Sequence, residues 1–165
     1  MAKRILNMTA EEMTHATKSE LIEAIAGSEG RVLASETIGI TIPLLTDVTN
    51  AEFAASMGAD LILLNMFDVQ EPKIMALPEV EKEETVREVK RLTGRMVGIN
   101  LEPVEESYAS DNKETLWEMS AGRYATVENA IQAQKMGVDL IVLTGNPGNG
   151  VSNQAIISSL KAISE

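Results

Sequence analysis

Five acidic or amide side chains stand where the apolar, strand-like runs of this sequence end: Glu36, Asn65, Asp68, Asn100 and Glu102. If these strands are parallel, their carboxyl ends converge on one end of the sheet and the five side chains are candidates for a shared site. Glu36 and Glu102 are the better candidates for a general acid and base, because they sit at equivalent strand ends and outside charge runs. Asn65 and Asn100 are further catalytic candidates beside them.

Three of these acids could instead bind a metal ion. Mg²⁺ is a hard cation that takes one or two carboxylates together with substrate oxygens. Glu36, Asp68 and Glu102 are therefore candidate ligands of a magnesium ion. The alternative is that each is a solvated acid at the rim of the sheet, since inference from acids alone is only probabilistic.

A glycine-rich loop, LTGNPGNGVSN at 143–153, follows the last predicted strand. It is not a triphosphate loop, because Val151 stands where that motif needs lysine, and it is not a dinucleotide fingerprint, because Asn153 replaces the third glycine. No nucleotide cofactor is indicated. Backbone N–H groups in such a loop, followed by a helix start, favour a lone small anion, and the alternative is a tight, capped turn. The candidate anion-binding residues are Thr144, Gly145, Asn146, Gly148, Gly150 and Ser152.

A long segment, 103–125, precedes the last predicted repeat unit and holds both tyrosines and the tryptophan: Tyr108, Trp117 and Tyr124. One interpretation is a lid over the site, in which Arg123 binds a carboxylate or phosphate. The other is a segment packed on the barrel or on a partner, where aromatic residues are common.

Several chemistries lack residues to perform them. The chain contains no cysteine, which excludes disulfides and thiol nucleophiles. Its single histidine, His15, lies on the leading helix away from the strand ends. No lysine falls in a predicted strand for Schiff-base formation, and no nucleophile elbow is present for serine hydrolysis.

The chain alternates helical and strand-like segments in a regular order. Apolar runs predict strands at 31–36, 60–65, 95–102 and 139–144, and helical spacing predicts helices from Thr9 to Gly27, from an N-cap at Asp47 to Gly58, and over 79–94, 126–137 and 152–164. Two of the units resemble each other at an offset of 79 residues, VTNAEFAASMGADLILLN (48–65) and VENAIQAQKMGVDLIVLT (127–144). Strands that are apolar on both faces and separated by helices predict a parallel sheet.

The predicted fold is therefore α/β: four βα units after a leading N-terminal helix, in a single domain over 1–165. An open doubly wound sheet commonly has a glycine fingerprint after its first strand, but RVLASETIGITIPLL contains only Gly39. The (β/α)₈ barrel fits better, although a complete barrel takes about 250 residues. We therefore expect either a fragment of a longer barrel or a half-barrel that pairs with another copy as a homo-oligomer, because two open parallel edges need cover.

A family resemblance supports the barrel. The segments ASETIG, GADLILLNMFDVQEP, VGINLEP and GVDLIVLTGNPGNGVSN resemble the N-terminal half of a family of bacterial (β/α)₈-barrel proteins, loosely similar to phosphoenolpyruvate-mutase-like barrels. Some such proteins carry a haloacid-dehalogenase-like label. The D-x-D-x-[TV] nucleophile motif of that superfamily does not occur here, because Asp47 lacks its partner, so dehalogenase chemistry is disfavoured.

The charge of the chain narrows its partners. Twenty-five acids against fourteen bases give a net charge of −11, which repels nucleic acid and anionic membranes. No apolar run approaches the roughly 18 residues of a membrane span, and the N-terminus does not read as a signal peptide. We expect a cytoplasmic protein whose partners are small anionic molecules.

Two functional hypotheses follow. The first is a barrel enzyme that acts on a small phosphorylated or carboxylated metabolite by acid–base or Mg²⁺-assisted lyase, isomerase or mutase chemistry. The second is a non-catalytic half-barrel that serves as a ligand-binding or assembly module. The first rests partly on an analogy of fold.

Overall fold

The sheet has four parallel strands in the order β1-β2-β3-β4. The structure is a computed structural model that describes residues 3–104, 119–145 and 151–164. The strands are β1 Ala34–Ile38, β2 Leu61–Asn65, β3 Met96–Leu101 and β4 Leu140–Leu143. The helices of the described residues are α1 Ala10–His15, α2 Lys18–Gly27, α3 Asn50–Ser56, α4 Thr85–Thr93, α5 Val127–Lys135 and α6 Asn153–Ser164. The predicted α/β fold of four βα units is confirmed, and it is the fold of a (β/α)₄ half-barrel.

The leading helix differs from its prediction. Thr9 and Glu12 form the expected capping box, but the helix ends at His15 and a second one begins after Thr17. Thr17 forms its own capping box with Glu20, and its extended backbone interrupts the helical path. A second strong N-cap inside one apolar pattern thus divides the predicted helix in two.

Two other boundaries move by a few residues. The N-cap of α3 is Thr49, whose hydroxyl accepts from the Glu52 N–H, and not Asp47. The predicted strand at 31–36 begins three residues too early, because β1 starts at Ala34, where its pairing with β2 begins. The predicted end of α4 is confirmed, since Gly94 adopts the left-handed conformation with φ 62°.

The two faces of the sheet have different cover. Helices α3 to α5 pack on one face, and the main core lies there around Ile62, Val97 and Ile99. We call the other face, which carries Leu61, Leu63 and Asn65, the inner face. Its lower half, at the amino ends of the strands, is covered by residues of the leading segment and helices: Ile5, Met13 and Ala24. The upper half of the inner face carries the polar side chains of Glu36, Asn65 and Asn100 among apolar neighbours.

The sequence repeat is also a structural repeat. Ten of its 18 aligned residues are identical, and both copies run from a helix through a left-handed glycine into a strand. The strand pairs match as well, because Ala34 pairs with Leu61 as Gly98 pairs with Leu140. The chain therefore consists of two equivalent units, β1-α3-β2 and β3-α5-β4.

An aspartate fixes the register in each unit. The Asp60 N–H donates to the Leu33 carbonyl, and its carboxylate accepts from the Leu33 N–H. Asp139 makes the same two contacts with Val97. Leu33 and Val97 are therefore equivalent positions, which makes Glu36 the equivalent of Asn100.

The stagger between the two units has the value of a closed barrel. On one side of β3, Leu61 of β2 pairs with Met96. On the other side, the equivalent residue of β4, Leu140, pairs with Gly98, which lies two residues further along β3. Two residues of stagger for two strands amount to about eight for eight strands, which is the shear of a (β/α)₈ barrel. The register is therefore that of half an eight-stranded barrel.

None of the helices in the described ranges is long and apolar enough to cross a membrane.

The two aspartates allow a matched test of the repeat. Asp139 also forms an ion pair with Lys90 at 2.7 Å, in which both side chains are largely buried. We expect Asp139→Ala to lower the free energy of unfolding by about 3 kcal/mol, because it leaves a buried ammonium unpaired. Asp60→Ala loses only the backbone contact at the sheet edge and should cost about 1 kcal/mol. Urea unfolding followed by circular dichroism measures both, and equal losses would contradict the assignment.

Candidate functional site

The polar candidates of the inner face belong to two rows of paired residues. Of these two rows, Glu36 lies in the one nearer the amino ends of the strands, which continues across the sheet through Leu63, Gly98 and Leu140. Asn65 and Asn100 lie in the upper row, between Ile38 and Val142. Glu36 is the one ionisable residue in the four strands. An acid on the face that a barrel turns inward therefore stands alone among apolar and amide side chains.

Glu36 and Asn100 contact each other across β2. The Asn100 amide Nδ2 donates to Glu36 Oε1 at 3.2 Å. Asn100 is only 8% exposed, and within the described residues its Oδ1 accepts no hydrogen bond. A buried acceptor without a partner is costly in a folded protein and is common where a ligand completes the contact. The predicted equivalence of Glu36 with Glu102 is wrong, because the repeat matches Glu36 with Asn100 and Glu102 with Ile38.

Asn65 lies beside Asn100 but is engaged locally. Its Oδ1 accepts from the backbone N–H of Met66 at 2.7 Å, and Met66 has a positive φ of 58°. The Asn65 side chain thus stabilises the sharp turn at the end of β2. Its role in the site would be exerted through the amide nitrogen and through the backbone path that it fixes.

Glu102 and Arg123 form an ion pair that is almost wholly buried. Arg123 Nη2 donates to Glu102 Oε1 at 2.7 Å, and the side chains are 15% and 8% exposed. Their backbones are joined too, because the Glu102 N–H donates to the Arg123 carbonyl at 2.9 Å. Arg123 is therefore held at the end of β3 and is engaged with a protein carboxylate.

Asp68 holds the segment that carries Arg123. Its Oδ1 accepts from the N–H groups of Gln70 and Glu71 at 2.7 and 3.0 Å. The carboxylate packs on Gly122 so closely that a Cβ there would lie 1.7 Å from Oδ1. Burial would raise the pKa of Asp68, but hydrogen bonds from Ser120 and these backbone groups, with the charge of Arg123, outweigh it and lower that pKa. These contacts indicate a structural role for Asp68.

Asn129 is a positioning residue that the sequence analysis missed. It is buried at the start of α5, and its Nδ2 donates to the carbonyls of Ala121 and Tyr124 at 2.8 and 2.9 Å. The repeat held the signal, because Asn129 aligns with Asn50. Asn50 also contacts the backbone of a loop, although here its Oδ1 accepts from the Leu44 N–H. In both units an asparagine at a helix start holds the loop that follows the preceding odd-numbered strand.

Part of the glycine-rich loop is described. The Thr144 N–H donates to the Leu101 carbonyl at 3.0 Å, and its buried hydroxyl has no hydrogen-bond partner among the described residues. Gly145 is exposed. Ser152 caps α6 by accepting from the Ala155 N–H at 3.1 Å, as the capped-turn alternative expects. Asn146, Gly148 and Gly150 lie outside the described residues, as do Tyr108 and Trp117.

The metal candidates do not come together as a set. No group of three or more His, Cys, Asp or Glu side chains that could hold a metal ion occurs in the part of the chain that the structure describes. Glu102 is paired with Arg123 and Asp68 holds a turn, so Glu36 is left as the exposed acid of the three. The magnesium site stays a prediction.

His15 Nδ1 donates to the Glu11 carbonyl within α1, away from the strand ends.

The lowered pKa of Asp68 predicts a pH-dependent contribution to stability. An ionised Asp68 stabilises the folded chain above the ordinary aspartate pKa of 3.8, and this stabilisation is lost as the pH falls through the lower pKa of the folded state. We expect Asp68→Asn to cost about 1 kcal/mol at pH 7 and progressively less below pH 3.8. Urea unfolding across this range measures the difference. Glu23→Gln, at an exposed acid of α2, is the control, and a loss that stays constant at low pH would argue against the assignment.

Comparison with known proteins places the chain in a family. No curated protein matches it. Nothing found relates it to phosphoenolpyruvate-mutase-like or haloacid-dehalogenase-like proteins, so that resemblance stays a prediction. One family, described as "Domain of unknown function (DUF7916)", matches residues 6–165. Because the match covers nearly the whole sequence, this chain belongs to the DUF7916 family.

Proposed function

We propose that the carboxyl end of this sheet is the active-site end of an enzyme of the (β/α)₈ class. Its substrate would be a small carboxylated or phosphorylated metabolite, and its chemistry that of a lyase, isomerase or mutase. One observation carries the proposal. Glu36, the one ionisable residue of the strands, stands on the inner face and accepts from Asn100, a buried amide whose Oδ1 has no partner in the described residues.

Glu36 is the proposed general acid and base. It is exposed, so a substrate proton can reach its carboxylate, and the Asn100 N–H fixes the orientation of one oxygen. A carboxylate held by one hydrogen bond and open on its other oxygen can abstract a proton next to a carbonyl and return it. Many isomerases and lyases that act on carbonyl compounds use this step.

Asn100 is the proposed substrate-orienting residue. Its Nδ2 must face Glu36, because a carboxylate only accepts, and this leaves Oδ1 to face the remaining space. An amide oxygen accepts from a donor such as a substrate hydroxyl, or it binds a cation. A ligand that supplied this donor would remove the cost of the unpartnered atom.

The anionic end of the substrate is assigned to the neighbouring strand ends. Thr144 supplies a buried hydroxyl without a described partner, and the N-terminus of α6 follows a few residues later. Arg123 can take part only by sharing its guanidinium with Glu102. In the Mg²⁺-assisted form of the reaction, the ion would bind Glu36 and substrate oxygens.

A non-catalytic role is the second candidate, and a specific feature favours it. Large apolar side chains are exposed on both sides of the half-barrel, including Leu33, Met57, Ile157 and Leu160. Such surfaces are typical of interaction sites. A ligand-binding or assembly module would need these surfaces but not the acid–base function of Glu36. In either role a cytoplasmic location and small anionic ligands stay predictions.

Proton exchange separates the two candidates. The chain is incubated in D₂O with a panel of small 2-oxo and 2-hydroxy acids, with and without phosphate groups and Mg²⁺. The exchange of protons next to the carbonyl is followed by ¹H NMR. We expect exchange with at least one compound, slowed about 100-fold or more in Glu36→Gln.

The control variant is Glu128→Gln, at an exposed acid on α5 far from Glu36. Its exchange rate should equal that of the unmodified chain. Calorimetric titration of the same compounds gives the binding arm. Binding without exchange, unchanged by Glu36→Gln, would favour the non-catalytic module and refute the enzyme.

A further inference from the structure

The two repeat units differ most where one of them lacks a neighbour. Met136 is 0% exposed, but its equivalent Met57 is 71% exposed. Val97 is 0% exposed, but its equivalent Leu33 is 55% exposed. The exposed positions of the first unit carry side chains as apolar as those at the buried positions of the second. These exposed side chains are of the type found in a protein interior.

Strand β2 and helix α4 provide the cover in the buried unit. Val97 pairs with Ile62 of β2. Helix α4 lies against the turn after α5, where Lys90 donates to the Gly137 carbonyl and the Arg87 side chain packs 3.2 Å from a Cβ built on Gly137. No atom of the described residues lies within 4 Å of a Cβ built on the equivalent Gly58. Within the described residues, the first unit therefore has no neighbouring strand like β2 and no neighbouring helix like α4.

The chain itself contains such a strand and helix at its other side. Strand β4 is the repeat equivalent of β2 and is an edge strand, as β1 is. Helix α6 follows β4 as α4 follows β2. In α4, Val86 and Val89 are buried, but no residue of α6 is, and Ile157 and Leu160 are 47% and 56% exposed.

We propose that a second copy of this chain covers these surfaces. Strand β4 of each copy would pair with β1 of the other in the register of β2 with β3, which places Val142 opposite Ala34 of the other copy. Helix α6 would then lie over Met57 of the other copy. Because the two edges are complementary to each other, two copies related by a twofold axis satisfy both contacts at once.

The stagger of the sheet fits a closed pair of copies. It matches the shear of an eight-stranded (β/α)₈ barrel, and two copies of the four described strands supply eight. Closure also brings a residue to the site. In the β2 and β3 register Asn65 lies beside Asn100, so the equivalent contact places Thr144 of one copy beside Glu36 of the other. This inference rests on the fold and does not depend on the proposed chemistry.

The molar mass in solution tests the pairing. Light scattering of the 165-residue chain should give twice 17.8 kDa. Met57→Glu and Leu160→Glu should each convert the dimer to a folded monomer, because these side chains are already exposed in the single copy. Val80→Glu is the matched control, since Val80 is exposed beside α4, far from both edges, and this variant should stay dimeric. A monomeric unmodified chain, or a ladder of larger species, would overturn the proposal.

Cross-linking tests the geometry, because the chain has no cysteine of its own. One preparation carries Met57→Cys and the other Leu160→Cys, and the two are mixed, allowed to exchange and treated with a short bismaleimide. We expect a covalent dimer in the mixture and much less in either preparation alone. Equal yields in all three would show that α6 does not lie over Met57, even if the mass is that of a dimer.

Discussion

The register within each repeat unit depends on one interaction that occurs twice: an aspartate before an even-numbered strand binds both backbone groups of a residue at the start of the neighbouring odd-numbered strand or just before it. Asp60 holds Leu33 in this way and Asp139 holds Val97. A slip of one residue would turn every side chain of a strand to the opposite face. Glu36 and Asn100 would then point into the helical layer, so the polar site depends on these backbone contacts.

With the register fixed, the inner face divides into an apolar lower half and an upper half that carries the polar side chains of Glu36, Asn65 and Asn100. The leading segment and helices cover Leu61 and Met96, which removes the lower half from solvent. Gly98 lies between the halves, and the Leu140 side chain occupies the space that a Cβ would need, at 2.7 Å. A side chain at position 98 would push Leu140 from this place, beneath the contact of Glu36 with Asn100.

The sequence alone predicts the order of helices and strands, because apolar runs, left-handed glycines and N-caps are local signals. Thr17 shows the limit of this method, since an apolar pattern can continue through a helix break. The pairing of Glu36 with Asn100 could not be predicted, because register is set by contacts between strands. The proposed anion-binding role of Arg123 stays a prediction, and its observed pairing with Glu102 depends on a loop held by Asp68 and Asn129. That loop has no local signal of its own.

The repeat also explains why the site is chemically asymmetric. Equivalent positions share a backbone but carry different groups: Glu36 matches Asn100, and Asn65 matches Thr144. A carboxylate at both 36 and 100 would place two negative charges within hydrogen-bonding distance of each other. An amide at 100 replaces that repulsion with a donated hydrogen bond and leaves a single acid to act. The two units thus provide the same backbone geometry twice, and their different residues at these two positions leave one acid with a positioned amide beside it.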